Sequence, residues 1–134
     1  MTDFNTSVID EFRANDGKVK GPFEGAPLIL LTTTGAKTGR KHTVPVVYQE
    51  DAGRIVVFGS KAGAPTNPAW FHNLVANPEV TVELGNETFQ AKAVVTEGAE
   101  RDRIFTEQKK RMPGFADYEA KTSRVIPVIA LERV

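Results

Sequence analysis

Six short runs of apolar and β-branched residues, separated mostly by glycine, proline and asparagine turns, constrain this chain more than any other feature. They lie at 28–34, 43–49, 54–59, 80–84, 88–96 and 125–131. Such runs favour strands, because branched side chains pack well on a pleated surface. Asp51-Ala52-Gly53 turns the chain after the second run, and Gly85-Asn86, a hairpin signal, joins the fourth to the fifth. Connections this short leave no room for crossover helices, and the regular strand–helix alternation of a Rossmann fold is missing. The chain therefore reads as mainly β: an antiparallel sheet or small barrel of about six strands. Pro45, inside the second run, has no amide hydrogen and is excluded from an ordinary central ladder position.

Helical periodicity is confined to a few segments. Phe4, Val8 and Phe12 fall four apart with Ile9 beside them, which predicts a helix over 3–14, stopped by Asn15-Asp16-Gly17. Residues 17–27 form a connector with Phe23 as its anchor. Asn67 can cap a helix over 68–76 with Pro68 at its first position, ended by Asn77-Pro78. A longer helix covers 97–111, with acids in its first turn and Lys109, Lys110 and Arg111 in its last, as the macrodipole favours. Pro113-Gly114 breaks it, and one or two further helical turns follow over 115–121.

The 134 residues suffice for one domain with one core, and no repeat or linker divides them. The 17 basic residues balance the 17 acidic ones, so no overall field draws the chain to nucleic acid, and no RNP-like aromatic pattern accompanies its basic segments. The absence of cysteine excludes disulfides and thiol nucleophiles. No apolar run approaches the ~18 residues that span a bilayer. The opening "MTDFNTSVIDEF" is acidic and lacks the charged-then-apolar layout of a signal peptide. A cytoplasmic protein is the expectation.

Against that neutral background one loop stands out. "TTTGAKTGRKHTVP" follows the hydrocarbon run "LILL" and places Lys37, Arg40, Lys41 and His42 close together. A second loop, "SKAGAPTNP", also follows a strand and also carries a lysine, Lys61. Glycine lets backbone N–H groups approach an anion, the cations supply charge, and Thr34, Thr38 and Ser60 supply hydroxyls. Together they suit phosphate or carboxylate. Taken alone, the first loop is equally well a solvated turn. Neither a Walker loop nor G-x-G-x-x-G is present.

Other chemistry is poorly supplied. His42 and His72 are the only histidines and have no metal-ligand spacing, so a metal site is not expected. Ser60 lacks an obvious histidine base. Trp70 and Phe71 have core-like helical spacing, and Phe115 with Tyr118 makes either a mobile lid or a packing turn. An enzyme built from these residues needs a cofactor to carry its chemistry.

"GPFEGAPLILLTTTGAKTGRKHTVPVVY", "GSKAGAPTNPAWFHNLVANPEV" and "ADYEAKTSRVIPVIAL" resemble the deazaflavin-dependent nitroreductase family, in order, from about residue 15 to the end. The combination L-x-T-x-G-x-K-[ST]-G with S-K-x-G-x-x-x-x-P-x-W-x-x-N is specific. The resemblance implies a split β-barrel and coenzyme F-420, an 8-hydroxy-5-deazaflavin with a phospholactyl–oligoglutamate tail. It places Ala36, Lys37 and Thr38 at the tail, with Arg40 and Lys41 nearby. His42, Thr43, Val44, Pro45, Val46 and Val47 would run beneath the ribityl chain and ring. Phe58, Gly59, Ser60 and Lys61 would meet ring or phosphate, and Ala69, Trp70, Phe71, His72 and Asn73 would line the other side. Phe115 would cover the ring, with Met112 and Tyr118 on the acceptor side. Backbone N–H groups, Ser60 and Tyr118 are the candidate hydrogen-bond donors to the acceptor.

His42 stands where relatives often have arginine, which makes tail binding weaker and pH-dependent. The implied activity is hydride transfer to a quinone, an activated alkene or a nitro compound. An FMN oxidoreductase on a similar barrel and a non-catalytic deazaflavin carrier are the alternatives. Asp3, Asp10 and Glu11 argue against anionic lipid at the first helix. A monomer or a homodimer is expected.

Overall fold

The six runs pair edge to edge until the last strand meets the first. A computed structural model describes residues 2–19 and 25–134, with side-chain placement excluded for 2–5 and 62. Phe23 lies outside the described residues, as does the side chain of Phe4. Strands β1 (Leu28–Thr34), β2 (Lys41–Asp51), β3 (Arg54–Phe58), β4 (Glu79–Leu84), β5 (Glu87–Val95) and β6 (Val128–Arg133) close in the order β1-β2-β3-β6-β5-β4, all antiparallel. Helices α1 (Thr2–Ala14), α2 (Ala69–Ala76), α3 (Gly98–Arg111) and α4 (Gly114–Lys121) pack on the outside or across its ends.

Side chains alternate across a strand, so a barrel strand has an inner and an outer row. Ile29 and Leu31 point inward to meet Val57, Val82, Ile129 and Leu131. Leu28 and Leu30 point outward, where Val8 and Phe12 of α1 cover them. Because both faces of β1 are buried, "LILL" is continuous hydrocarbon rather than an alternation. On the other side, Val56 and Val128 face outward against Ile104 and Phe105 of α3 and Phe115 of α4. Each fully buried leucine or isoleucine contributes about 1.5–3 kcal/mol relative to exposure.

Several element ends differ from the sequence reading. β2 is longer at both ends than 43–49, because its ladder carries through polar residues: Thr34 pairs with Lys41, and the hairpin to β3 closes at Asp51 and Arg54. The final strand starts at Val128 rather than 125, after Pro127, whose carbonyl accepts from the Gly59 N–H at 2.9 Å. Asn67 does not cap α2. Pro68 occupies the N-cap position in an extended conformation (φ −68°, ψ 155°), and no side chain caps the helix. The Asn67 amide oxygen instead accepts from Arg124 at 2.7 Å.

One departure from regular pairing positions the site. β2 is laddered to β1 along 41–47 but to β3 only from Tyr48 to Asp51. Beyond Val57, β3 continues along β6 alone, with Phe58 opposite Val128. Tyr48 donates its N–H to Pro27 O on the β1 side (3.0 Å). The pleat therefore turns the main-chain groups of Pro45 and Val47 the other way, into the gap. Among the described residues no strand faces them there. Pro45 sits where a missing N–H costs no ladder bond.

Candidate cofactor and acceptor site

Two cavities open along this gap, and Val44 and Trp70 line both. The first, of 680 Å³, is walled by the loop after β1 (Ala36, Lys37, Thr38), His42, and the α2 residues Ala69, His72 and Asn73. The second, of 540 Å³, is walled by residues 44–47, Phe58, Ser60, Lys61, Pro68, Met112, Phe115 and Tyr118. Joined at Trp70, they make one groove with a cationic end and an apolar end. A larger recess of 860 Å³ runs along the outside of α3. Asp51 and Arg103 in it pair with each other, and none of the candidate site residues lines it.

The cationic end is a short hairpin loop held by its own backbone. Gly35 N–H donates to Arg40 O at 2.7 Å, and Gly39, with φ +73°, donates to Gly35 O at 3.0 Å. A Cβ on Gly35 would meet Thr38 Oγ1 at 2.8 Å and His42 Nε2 at 3.2 Å, so only glycine lets the loop fold this tightly. The loop is tied to α2 by Asn73, which accepts from Ala36 N–H (3.1 Å) and donates to Thr33 Oγ1 (3.2 Å). Asn77 adds a bond to Thr34 O at 3.3 Å. Lys37, Arg40, Lys41 and Lys61 make no ion pair among the described residues. Lys41 reaches only the Thr34 hydroxyl, at 2.9 Å.

The apolar end is built from parts far apart in sequence. Phe58 and Phe115 meet edge to face with centroids 5.6 Å apart, and Phe115 meets Tyr118 at 5.1 Å. Phe115, expected as a cover, is buried at 6% exposure and forms a fixed wall. Behind Met112 lies a buried polar chain: Gln49 Nε2 donates to Gln108 Oε1 (3.1 Å), and Gln108 Nε2 donates to Met112 Sδ (3.4 Å). The loop carrying Ser60 and Lys61 is clamped from two directions. Gly63 (φ +83°) lies so close to α4 that a Cβ would meet Tyr118 O and Lys121 Cβ at 2.9 Å. From the other side Arg124 grips the loop's carbonyls.

The structure brings most of the sequence-derived residues to the groove, but not all. Arg40 and Lys41 stand exposed at its rim. Thr43 turns to Thr32, hydroxyl to hydroxyl at 2.7 Å. Gly59 lies against Pro127, and Phe71 packs toward the barrel interior. Sequence reasoning missed Gln108 and Arg124. Gln108 had a signal: it is a polar residue on the Ile104–Met112 helical stripe. Arg124 had none, because its partners are three backbone carbonyls and the Asn67 amide oxygen of a loop 57 or more residues away.

Comparison with known proteins agrees with this geometry. The model of the F420H(2)-dependent quinone reductase family matches residues 6–133. An F420H(2)-dependent quinone reductase of Mycobacterium tuberculosis is 35% identical over 126 residues, 91% of this chain and 85% of the relative. A solved F420-H2 dependent reductase is 39% identical with a TM-score of 0.73, covering 79% of this chain and 94% of its own. A solved domain-swapped dimer is 37% identical with a TM-score of 0.75, covering 95% and 93%. Fold and matches together define an F-420-dependent oxidoreductase on a split β-barrel. The chain belongs to the F420H(2)-dependent quinone reductase family, and its cofactor is coenzyme F-420. The groove fits that molecule: unpaired cations at one end suit an anionic tail, and aromatic and aliphatic walls at the other suit a flat ring.

Proposed function

We propose that this reductase acts on flat, apolar, electron-poor acceptors of the quinone type, bound at the Met112–Phe115–Tyr118 side of the ring cavity. The observation that carries the reading is the wall chemistry there. Phe58, Met112 and Phe115 offer hydrocarbon and sulfur, and among the described residues the only side-chain hydroxyls lining the cavity are those of Ser60 and Tyr118. A planar quinone gains apolar burial from such walls and needs few donors. A nitro group gathers charge on two oxygens and finds little to stabilise it.

Reduced coenzyme F-420 supplies a hydride from carbon 5 of its deazaflavin ring, which favours two-electron over one-electron transfer. Lys37, with Arg40 and Lys41 at the rim, holds the anionic tail by charge. Trp70, shared by both cavities, fixes where tail binding ends and the ring begins. The edge of β2 at 44–47, with Pro68 and Phe115, would hold the ring in this cavity. Tyr118 and Ser60 donate hydrogen bonds to the acceptor oxygen as charge develops on it. The aromatic wall keeps water from that oxygen until transfer is complete, and solvent supplies the final proton. The domain-swapped relative supports a dimeric form of this chain, which size-exclusion chromatography would test.

The deciding measurement is kcat/KM for a menadione-like quinone, a cyclic enone and a nitroimidazole. The quinone and the enone are expected to exceed the nitroimidazole by about one to two powers of ten, the scale of a missing hydrogen bond in a dry site. Nitroimidazole reduction as fast as quinone reduction would overturn the acceptor assignment.

A further inference from the structure

Among the described residues, Arg124 stands apart from the other arginines in that its fork is met by neutral oxygens alone. Its Nε donates to Ala64 O (2.9 Å), Nη1 to Gly59 O (3.0 Å) and to Asn67 Oδ1 (2.7 Å), and Nη2 to Ser60 O (2.8 Å). No carboxylate reaches it among the described residues. Burial, with no opposing charge to offset it, lowers its pKa from the usual arginine value. Guanidinium remains charged even so. Arginine in other parts of the molecule does the ordinary thing: Arg13 pairs with Glu83, and Arg54 and Arg103 pair with Asp51.

The four acceptors belong to one segment, the loop that walls the ring cavity. Two of them, Gly59 O and Ser60 O, are consecutive carbonyls gripped by the two ends of the same planar fork. The chain has no cis peptides among its described residues. In a trans peptide the N–H points opposite the C=O. Pulling both carbonyls toward Arg124 therefore turns the N–H groups of Ser60 and Lys61 away from it. Ser60 and Lys61 line the cavity, and neither N–H has a protein acceptor among the described residues. The backbone at Lys61 is strained as well: it has φ +46°, next to an ordinary right-handed Ser60 (φ −72°, ψ −37°). A lysine holds that conformation only where its surroundings impose it.

We propose that Arg124 is a positioning residue for hydride transfer: its fork sets the Gly59–Ser60 and Ser60–Lys61 peptides so that their N–H groups are presented on the cavity side as fixed donors for an oxygen gaining negative charge. The charge of Arg124 itself polarises both peptides in the same sense, because each carbonyl faces the cation. Arg124 touches neither cofactor nor acceptor. The proposal rests on the reading of this cavity as the place of transfer, and it assigns donors in addition to the two hydroxyls.

The experiment compares wild type, Arg124→Met and Arg124→Lys. Methionine keeps a flexible stem and removes charge and fork. Lysine keeps the charge and loses the fork. Hydrogen exchange of the apoprotein is read by mass spectrometry on peptides covering 59–67 and on barrel peptides. Cofactor Kd is read from Trp70 fluorescence, and kcat and KM from turnover with a quinone. Both variants are expected to speed exchange in 59–67 while β1 and β6 stay protected. kcat should fall roughly 10- to 100-fold, while Kd for F-420 moves only a few-fold, roughly threefold or less. Unchanged exchange in 59–67 would overturn the positioning claim even if the acceptor were wrongly assigned, since no ligand is present. Faster exchange with kcat unchanged would show a structural clamp with no part in transfer. Full recovery of kcat by Arg124→Lys would assign the effect to charge alone and overturn the role of the fork. If Arg124→Met does not fold, the Lys variant carries the same two readouts.

Discussion

The two halves of β2 belong to one continuous strand and serve opposite ends. From Tyr48 to Asp51 it is laddered to β3, and the carboxylate that ends it is paired. Asp51 accepts from Arg103 (2.9 and 3.3 Å) and from Arg54 (3.0 Å), and Arg54 reaches on to Glu100 at 2.9 Å. From Lys41 to Val47 it is laddered to β1 and has parted from β3, carries Pro45, and leads from a loop whose cations make no ion pair among the described residues. Satisfied groups have nothing left to offer a ligand. Unsatisfied edges and free cations do, and the groove follows them. The candidate site lies where β2 parts from β3.

The contrast can be broken most forcefully at Trp70, which lines both cavities and packs on the barrel interior. Trp70→Ala is expected to cost about 2–4 kcal/mol in stability, toward the lower side of large-to-small core changes because the indole is only half-buried. It should abolish tight cofactor binding too. Denaturant unfolding alongside cofactor titration checks this; a lost site with unchanged stability would mean that the indole does not pack.

At the unpaired end, Lys37→Ala should weaken F-420 binding by about 1–3 kcal/mol and leave stability unchanged, because the ammonium has no partner to lose among the described residues. Arg40→Ala should cost less, since its side chain stands in water at the rim. Binding isotherms at two salt concentrations measure both, with affinity falling as salt rises. Unchanged affinity in Lys37→Ala at low salt would reduce the loop to a solvated turn.

The paired end should behave in reverse. The hydrogen bonds from Arg103, and next those from Arg54, hold the Asp51 carboxyl down at about 2. A lowered acid pKa contributes stability that is complete above the unfolded value, ~3.9, and is lost as pH falls toward 2. Asp51→Asn should cost about 1–2 kcal/mol in stability at neutral pH, flatten the acid limb of the stability profile between pH ~5 and ~2, and leave cofactor affinity alone. Chemical denaturation across that range, on both proteins, is the measurement.

The smallest effect is expected at Tyr118. Tyr118→Phe removes one donor from the acceptor side and keeps the ring packed on Phe115, so kcat/KM should fall about 5- to 10-fold, near 1 kcal/mol, with stability and F-420 affinity nearly unchanged. Full activity in Tyr118→Phe would leave Ser60 as the sole side-chain donor.

Much of this was legible in the sequence for a local reason. The barrel's strands announce themselves by runs of β-branched and apolar residues, its hairpins by Gly53 and Gly85, and its cationic rim by residues that are neighbours in the chain. The unbroken "LILL" could be read as buried, and its burial by two separate layers became visible only when α1 covered one face. Pro45 marked an irregular strand, but not that the irregularity was the open side of the groove. That depended on where β3 stops pairing with β2, a property of two strands and not of one. The Asn67 cap failed because an arginine far along the chain offered that amide a better partner. Local chemistry determined the elements and the composition of the cationic loop. Only tertiary structure could bring Phe58, Met112, Phe115 and Tyr118 around one cavity and set Arg124 behind the loop that walls it, because those contacts join segments with no spacing pattern between them.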